Sequence, residues 1–154
     1  MTFPHPERDA DPERDIVSAR FLDAPRERVF EAFCDPAVLA RWWGPKGFAN
    51  TIHELDVRAG GHWRSILHAP DGRDFANHSV FVEVVRPERL VFRHVSVEHP
   101  YELTITLDER DGGSLMTWRM RHEIAEACAR VRRFVVPANE ENFDRLAAVL
   151  AGTR

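Results

Sequence analysis

Three histidines and one glutamate are the side chains best suited to proton transfer. His53, His94 and His122 fall at positions that strand alternation places on the inner face of a sheet. An imidazole titrates near neutral pH, so it can act as a general acid or base, or as a hydrogen-bonding group for a ligand. Glu83 lies in the apolar stretch 80–85, where one strand register buries it as a candidate acid or base and the other leaves it in solvent. A purely structural role for each histidine stays open.

Tryptophans and methionines form a second group with chemical potential. An apolar pocket could be lined by these side chains, because Trp combines a large apolar face with one N–H donor and Met adapts its shape. They are Trp42, Trp43, Trp63, Trp118, Met116 and Met120. The same side chains also suit an ordinary core, and the two roles are compatible where a pocket borders the core. Trp42 and Trp43 are adjacent at a helix end, so we expect only Trp43 to pack inward. The candidate ligand-binding side chains are Trp43, Phe48, His53, Trp63, Ser65, Leu67, Phe81, Glu83, Phe92, His94, Met116, Trp118, Met120 and Phe143.

Motifs for other kinds of chemistry are missing from the sequence. There is no GxSxG nucleophile motif and no phosphate loop, and no HxH, HExxH or CxxC spacing occurs. His62 and His68 share one face of a strand but stand about 20 Å apart, too far to bind one ion. We therefore predict no metal site and no cofactor. The cluster of Arg130, Arg132 and Arg133 could hold an anionic group at the mouth of a cavity, but such a cluster is more typical of a solvated face.

Composition narrows the class of protein. The 154 residues suit one domain, and the net charge of −4 argues against a nucleic-acid partner. The apolar runs are short and broken by charge, and no signal peptide precedes the first strand, so we expect no membrane insertion. Two cysteines without a pairing motif favour a reduced, cytoplasmic setting. Either a monomer or a homodimer is compatible with this composition.

The elements that must position these side chains alternate in a simple order. Residues 1–14 are proline-rich and charged, which predicts a disordered leader before a single domain at 15–151. We predict helices at 26–33, 36–42 and 139–150, and leave 123–134 open between loop and helix. Period-two patterning and turn residues predict strands at 15–22, 52–58, 62–68, 74–85, 90–98, 101–109 and 114–122. This order predicts an α+β fold in which an amphipathic C-terminal helix covers one face of an antiparallel sheet.

Strand alternation assigns the inner face of that sheet. In the last strand Met116, Trp118 and Met120 point one way, and we assign this side inward because the alternate residues are Thr and Arg. The middle strand is apolar on both faces near its end, which makes a bulge there an expectation. By the same rule the remaining inward positions are His53, Leu55, Val57, Trp63, Ser65, Leu67, Leu90, Phe92, His94, Leu103, Ile105 and Leu107.

Several separated segments resemble one known family. DAPRERVFEAFCDPAVLARWWGPKGF (23–48), DVRAGGHWRSILHAPDG (56–72), VRPERLVF (85–92), DGGSLMTWRM (111–120) and ENFDRLAAVL (141–150) resemble, in order, the heat-shock-protein ATPase activator homologues of the START-like (SRPBCC) superfamily. The likeness covers roughly residues 15–151. It implies a helix-grip fold, in which a curved antiparallel sheet of about seven strands (order β-α-α-β6-α) wraps around a long C-terminal helix and leaves a cavity between them.

The resemblance implies three functions, which the residues alone do not separate. Members of the superfamily bind small apolar ligands, so we expect a bacterial protein that binds a small hydrophobic or amphipathic molecule in this cavity. Some members are cyclases, dehydratases or hydrolases, and an enzyme of that kind would use the inward His and Glu. The eukaryotic namesakes stimulate a chaperone ATPase, and a protein-interaction module of that kind would use the outer face of the sheet.

Overall fold

Seven antiparallel strands form one curved sheet in the computed structural model, which describes residues 10–96 and 98–152. The structure confirms the predicted α+β helix-grip fold. Its elements are β1 (Asp15–Leu22), α1 (Arg26–Cys34), α2 (Pro36–Trp42), β2 (Ala49–Leu55), β3 (His62–His68), β4 (Asp74–Val85), β5 (Arg89–His94), β6 (Tyr101–Arg110), β7 (Gly113–His122) and α3 (Ala125–Ala151).

The sheet is a meander closed at one side by its first strand. Its order is β1-β7-β6-β5-β4-β3-β2, so every pair of neighbours except β1 and β7 is consecutive in sequence. Helices α1, α2 and α3 lie against the inner face, where α3 packs chiefly on β1. Phe30, Leu39, Phe143 and Leu146 are fully buried there, because each amphipathic helix needs an apolar partner surface.

Helix α3 is longer than the predicted helix, because it begins at Ala125 and passes through Pro137. Proline lacks the N–H that an interior helical position donates, so sequence reasoning treats it as a helix start. The first half of α3 is attached to β1 by its own side chains. Cys128 is buried, and one turn later Arg132 Nη2 donates to the carbonyls of Pro12 and Asp15 at 2.9 and 3.0 Å. The segment left open between loop and helix is therefore helical from Ala125.

A bulge in β2 overturns the prediction that His53 faces inward. The pairing of β2 with β3 shifts between Ile52 and Glu54, so that Ile52 and Leu55 pack against the core. His53 is exposed at this bulge. An extra residue in one strand reverses the alternation beyond it, which is why the period-two pattern misplaced this side chain.

A second bulge, in β4, places Glu83 on the outer face. The pairing of β4 with β5 shifts between Phe81 and Glu83, so Phe81 is buried inward while Glu83 lies opposite outward-facing Val91. The Glu83 carboxylate accepts a hydrogen bond from Arg89 Nε. The inward placement on which its candidate ligand role depended is therefore wrong, although the predicted bulge is present.

The start of the chain falls partly outside the described residues. The predicted disordered leader covers residues 1–14, and its residues 1–9 lie outside the described residues. Residues 11–15 form a turn in which Asp15 N donates to Asp11 O at 2.8 Å. In the described part of the chain, no helix is long and apolar enough to span a bilayer.

Candidate ligand-binding site

One row of side chains crosses five neighbouring strands on the inner face. Trp63 of β3 lies opposite Ser79 of β4, which lies opposite His94 of β5, then Tyr101 of β6 and His122 of β7. Directly opposed residues of antiparallel strands point to the same side of the sheet. The row therefore places one indole, one hydroxyl, two imidazoles and one phenol side by side.

Behind this row lies a cluster of aromatic rings centred on Trp43. The centroid of Trp43 stands 4.8 Å from that of Trp63, 5.3 Å from Trp118 and 6.1 Å from Phe92. Phe143 of α3 packs edge-on against Trp118 at 4.7 Å. Such edge and tilted contacts are the favoured geometries of aromatic pairs, so the cluster forms a stiff apolar wall.

A small recess remains between the aromatic cluster and the polar row. It is lined by Trp43, Trp63, Ser65, Asn77, Ser79, Phe92, His94 and Tyr101, and its volume is about 20 Å³. That volume holds one water molecule. Its lining contains no carboxylate, lysine or arginine, so its chemistry is that of neutral hydrogen-bonding groups on an apolar surface.

His94 is held by two oxygen atoms, one at each ring nitrogen. Asn77 Nδ2 donates to Phe75 O at 3.1 Å, which turns its Oδ1 toward His94 Nε2 at 3.0 Å. Since an amide oxygen only accepts, Nε2 carries the proton in this arrangement. The other nitrogen, Nδ1, stands 3.2 Å from the carbonyl oxygen of His99. Both nitrogens thus face acceptor oxygens, and because a neutral imidazole carries a single N–H, the lone pair on Nδ1 points at the carbonyl oxygen of His99.

Tyr101 stands between the two imidazoles of the polar row as a neutral phenol. Its ring stacks on His94 with centroids 4.8 Å apart and planes inclined by 7°, and His122 lies 6.3 Å away on its other side. Burial raises the pKa of Tyr101 to about 12, because the phenolate would lose its hydration. At neutral pH the hydroxyl can thus both donate and accept a hydrogen bond.

We expect the free energy of unfolding to rise with pH because of His94 and His122. Burial lowers the pKa of each below its ordinary 6.5, and the backbone carbonyls of His99 and Arg14 offset only part of that effect. Below pH 6.5 the unfolded chain therefore binds more protons at these two imidazoles than the folded protein does. Their contribution to the free energy of unfolding is complete above pH 6.5 and is lost as pH falls through the folded-state pKa. Each group contributes a slope of at most ~1.4 kcal/mol per pH unit.

Urea unfolding between pH 5 and 7.5 measures that slope. His94→Gln combined with His122→Gln will flatten the curve, since glutamine keeps a donor and an acceptor but does not titrate. The matched control is His53→Gln, the same substitution at an exposed histidine of β2. A double variant with the slope of the wild-type protein would contradict the assignment to these two imidazoles.

The loop that carries Trp43 is attached to α3 by Arg145. Its Nη1 donates to the carbonyls of Gly44 and Pro45, and its Nη2 to the carbonyl of Arg41, all at 3.0 Å. Gly44 has a φ of +108°, a conformation that L side chains rarely adopt, which explains the glycine directly after the tryptophan pair. The backbone next to Trp43 is thereby fixed to the C-terminal helix.

The structure brings together most of the predicted side chains. Trp43, Trp63, Ser65, Phe92 and His94 line the recess. Phe81, Met116, Trp118 and Phe143 are buried in the adjoining core, and Met120 packs against it. Leu67 and Phe48 both lie close to Gly44, beside the loop that carries Trp43. His53 and Glu83 are the two that lie elsewhere. A ligand-binding role for any of them stays a prediction.

Two expectations about the tryptophans and the recess need correction. Both Trp42 and Trp43 pack inward, because Trp42 still belongs to α2 whereas Trp43 follows it in extended backbone. No residue of α3 lines the recess, so α3 supports the aromatic wall through Phe143 rather than forming one side of the recess itself.

Asn77, Ser79 and Tyr101 were not predicted as site residues. Tyr101 lies two residues before Leu103, so extending the alternation of β6 by one step would have found it. Asn77 and Ser79 precede Phe81 at the same spacing, but the register of β4 was uncertain because its end is apolar on both faces.

The comparisons with known proteins agree with this fold. Protein NE0264 from Nitrosomonas europaea has a TM-score of 0.86 at 22% identity, over 94% of this chain and 99% of its own. Protein CV1439 from Chromobacterium violaceum has a TM-score of 0.77 at 29% identity, over 88% and 96%. The AHSA1 protein SPO3351 from Silicibacter pomeroyi has a TM-score of 0.71 at 21% identity, over 89% and 97%. All three come from bacteria.

Comparison with curated proteins gave no match. The family model described as activator of Hsp90 ATPase homolog 1-like protein matches residues 23–151 of this chain, which includes every element from α1 to α3. That range also contains all eight residues of the recess. The chain therefore belongs to the family of activator of Hsp90 ATPase homolog 1-like proteins.

Proposed function

We propose that this protein binds a small, uncharged molecule that has an apolar body and a hydrogen-bonding oxygen. The supporting observation is the row from Trp63 to His122, which aligns neutral polar groups along the edge of an aromatic cluster. An apolar surface with a few fixed polar groups is the usual composition of a small-molecule site.

The uncharged lining determines the class of ligand. A charged ligand would lose its hydration in this apolar surrounding without gaining a counter-charge, which costs far more than burying a hydrogen-bonded neutral group. The hydroxyls of Ser65, Ser79 and Tyr101 can each donate to a carbonyl or ether oxygen. A neutral ligand with such an oxygen therefore fits the lining best.

The two alternative functions have less support. An enzyme of the cyclase or hydrolase type would need a base aimed at the substrate, but both nitrogens of His94 face oxygen atoms of the protein, and Glu83 lies on the other face of the sheet. An interaction module would need an apolar outer face. Ion pairs occupy much of that face, between Arg64 and Glu54, Arg89 and Glu83, and Arg93 and Glu102.

Binding can be tested by titrating ¹⁵N-labelled protein with a library of uncharged aromatic and aliphatic oxygen compounds. We expect amide shift changes centred on Ser65, Ser79 and Tyr101. Ser79→Ala removes one hydroxyl from the recess and should weaken the best compound about tenfold, the value of one lost hydrogen bond in a desolvated site.

The matched control is Thr104→Val, which removes a buried hydroxyl from the opposite face of the sheet. It should leave the affinity unchanged. Binding that is centred away from the recess, or that responds equally to both substitutions, would count against the proposal. A charged analogue of a library compound that binds where the uncharged compounds do not would also overturn the proposal.

A further inference from the structure

The two adjacent tryptophans differ in how firmly they are held. Trp42 is fully buried, and its Nε1 donates to the carbonyl of Ala32 at 3.0 Å. Trp43 is partly exposed, although its ring stands at the centre of the aromatic cluster. A side chain in that position has a route to solvent that Trp42 lacks.

The neighbours of Trp43 carry two buried donors that lack acceptors. Trp63 and Trp118 are 5% and 2% exposed, so each is more than nine-tenths buried. Within residues 10–96 and 98–152, neither Nε1–H has a hydrogen-bond partner. Buried donors are nearly always paired, so two unpaired indoles that both contact one ring call for a partner that comes from outside the core. The centroid of Trp43 stands 4.8 Å from that of Trp63 and 5.3 Å from that of Trp118, so a molecule that took the place of the Trp43 ring would contact both indoles.

We propose that the Trp43 indole occupies the position that the ring of the ligand takes, and that this ligand is a neutral, planar, bicyclic molecule with at least one hydrogen-bond acceptor. This inference rests on the proposed function and specifies its ligand class. A recess of about 20 Å³ admits only water, so a larger molecule needs a side chain to leave. Among the residues that line the recess, Trp43 is the one whose outward rotation would open a space beside both Trp63 and Trp118. A ring of the size of an indole would fill that space.

The backbone around Trp43 favours rotation of the side chain over movement of the loop. Arg145 holds the carbonyls of Gly44 and Pro45, and Asn50 Nδ2 donates to the carbonyl of Trp43 itself. These bonds involve no atom of the indole, so they persist when the ring turns outward. The ligand then gains the N–H groups of Trp63 and Trp118, which stay buried in the core.

The experiment uses full-length protein labelled with 5-fluorotryptophan, with the four ¹⁹F signals assigned through single Trp→Phe substitutions. The probes are chromone, naphthalene and chromone-2-carboxylate, which share a bicyclic shape but differ in acceptor and charge. We expect chromone to move the Trp43 signal to a solvent-exposed position and to shift those of Trp63 and Trp118. Naphthalene should bind about tenfold more weakly for lack of an acceptor, and the carboxylate should not bind.

A Trp43→Ala variant completes the test. It should bind chromone several-fold more tightly than the wild-type protein, because no indole has to be displaced. If chromone shifts the recess amides while the Trp43 signal stays buried, this inference fails and the proposed function stands. Binding to Trp43→Ala alone overturns the inference, since Trp43 is then a fixed part of the core. If no probe reaches the recess in either protein, the inference fails, and the proposed function fails with it only when the library of uncharged oxygen compounds gives no binding either.

Discussion

Replacing Trp42 with alanine will lower the free energy of unfolding by about 3–5 kcal/mol, the usual cost of removing a large buried aromatic side chain. Trp42 is fully buried and packs edge-on against Phe33 at 4.9 Å and against Trp43 at 5.5 Å. Its Nε1–H also satisfies the carbonyl of Ala32 near the end of α1. The substitution therefore leaves a cavity and an unpaired carbonyl at the contact between α1 and α2. Urea unfolding followed by circular dichroism measures the loss.

Two variants separate the causes of that loss. Trp42→Phe keeps an aromatic ring but removes the donor to Ala32, so it should cost only about 1–2 kcal/mol. Trp43→Ala truncates the adjacent, partly exposed tryptophan and should cost clearly less than Trp42→Ala. Equal losses for the two alanine variants would show that Trp43 is as firmly built into the core as Trp42.

Asp15→Ala will destabilise the protein by about 3 kcal/mol, the lower end of the range for breaking a buried ion pair. The Asp15 side chain is fully buried, and its two oxygens accept from Arg121 Nε and Nη2 at 2.8 and 2.7 Å. The lower end applies because the Arg121 side chain keeps 32% of its exposure and recovers some hydration. This pair joins the edge strand β1 to β7, so its loss loosens the closing pair of the sheet.

The stability that is lost on replacing Asp15 depends on pH, because the Asp15 carboxylate titrates. Burial alone would raise the pKa of Asp15, but hydrogen bonds from Arg121 and the N–H of Asp11 outweigh it and hold the pKa below its ordinary 3.8. Its stabilising effect is therefore complete above pH 3.8 and disappears as pH falls through the folded-state pKa. The difference between wild type and Asp15→Asn should be constant near neutral pH and shrink below about pH 4. A difference that persists unchanged into acid would contradict this origin.

Regular alternation made most of the inner face predictable from sequence. In β7 the polar Thr and Arg residues between Met116 and Met120 favoured one register, and Met116 and Trp118 indeed belong to the hydrophobic core. In β3 the pattern placed Trp63 and Ser65 inward, which the structure confirms. Where the residues on one face of a strand are clearly polar, only one register buries the apolar residues of the other face.

The errors occur where local geometry departs from a regular period. His53 and Glu83 both lie at bulges, and the hydrophobic pattern does not fix the position at which a bulge inserts its extra residue. The sequence did not decide between loop and helix for the first half of α3, because a proline such as Pro137 is typical of a helix start. The contact of Arg132 with β1 is tertiary, so the local sequence does not reveal it. The recess depends on pairing across five strands, which period counting within one strand does not provide.

The pairing of β1 with β7 also concerns how the chain folds during synthesis. The first strand hydrogen-bonds to the last one, about a hundred residues later, while every other strand pairs with its immediate predecessor or successor. On the ribosome β2 to β6 can form a growing hairpin array as they emerge, but β1 has no partner until β7 is translated. Native closure is thus a late, long-range event, of the kind that slows folding and leaves an edge open to wrong partners in the meantime.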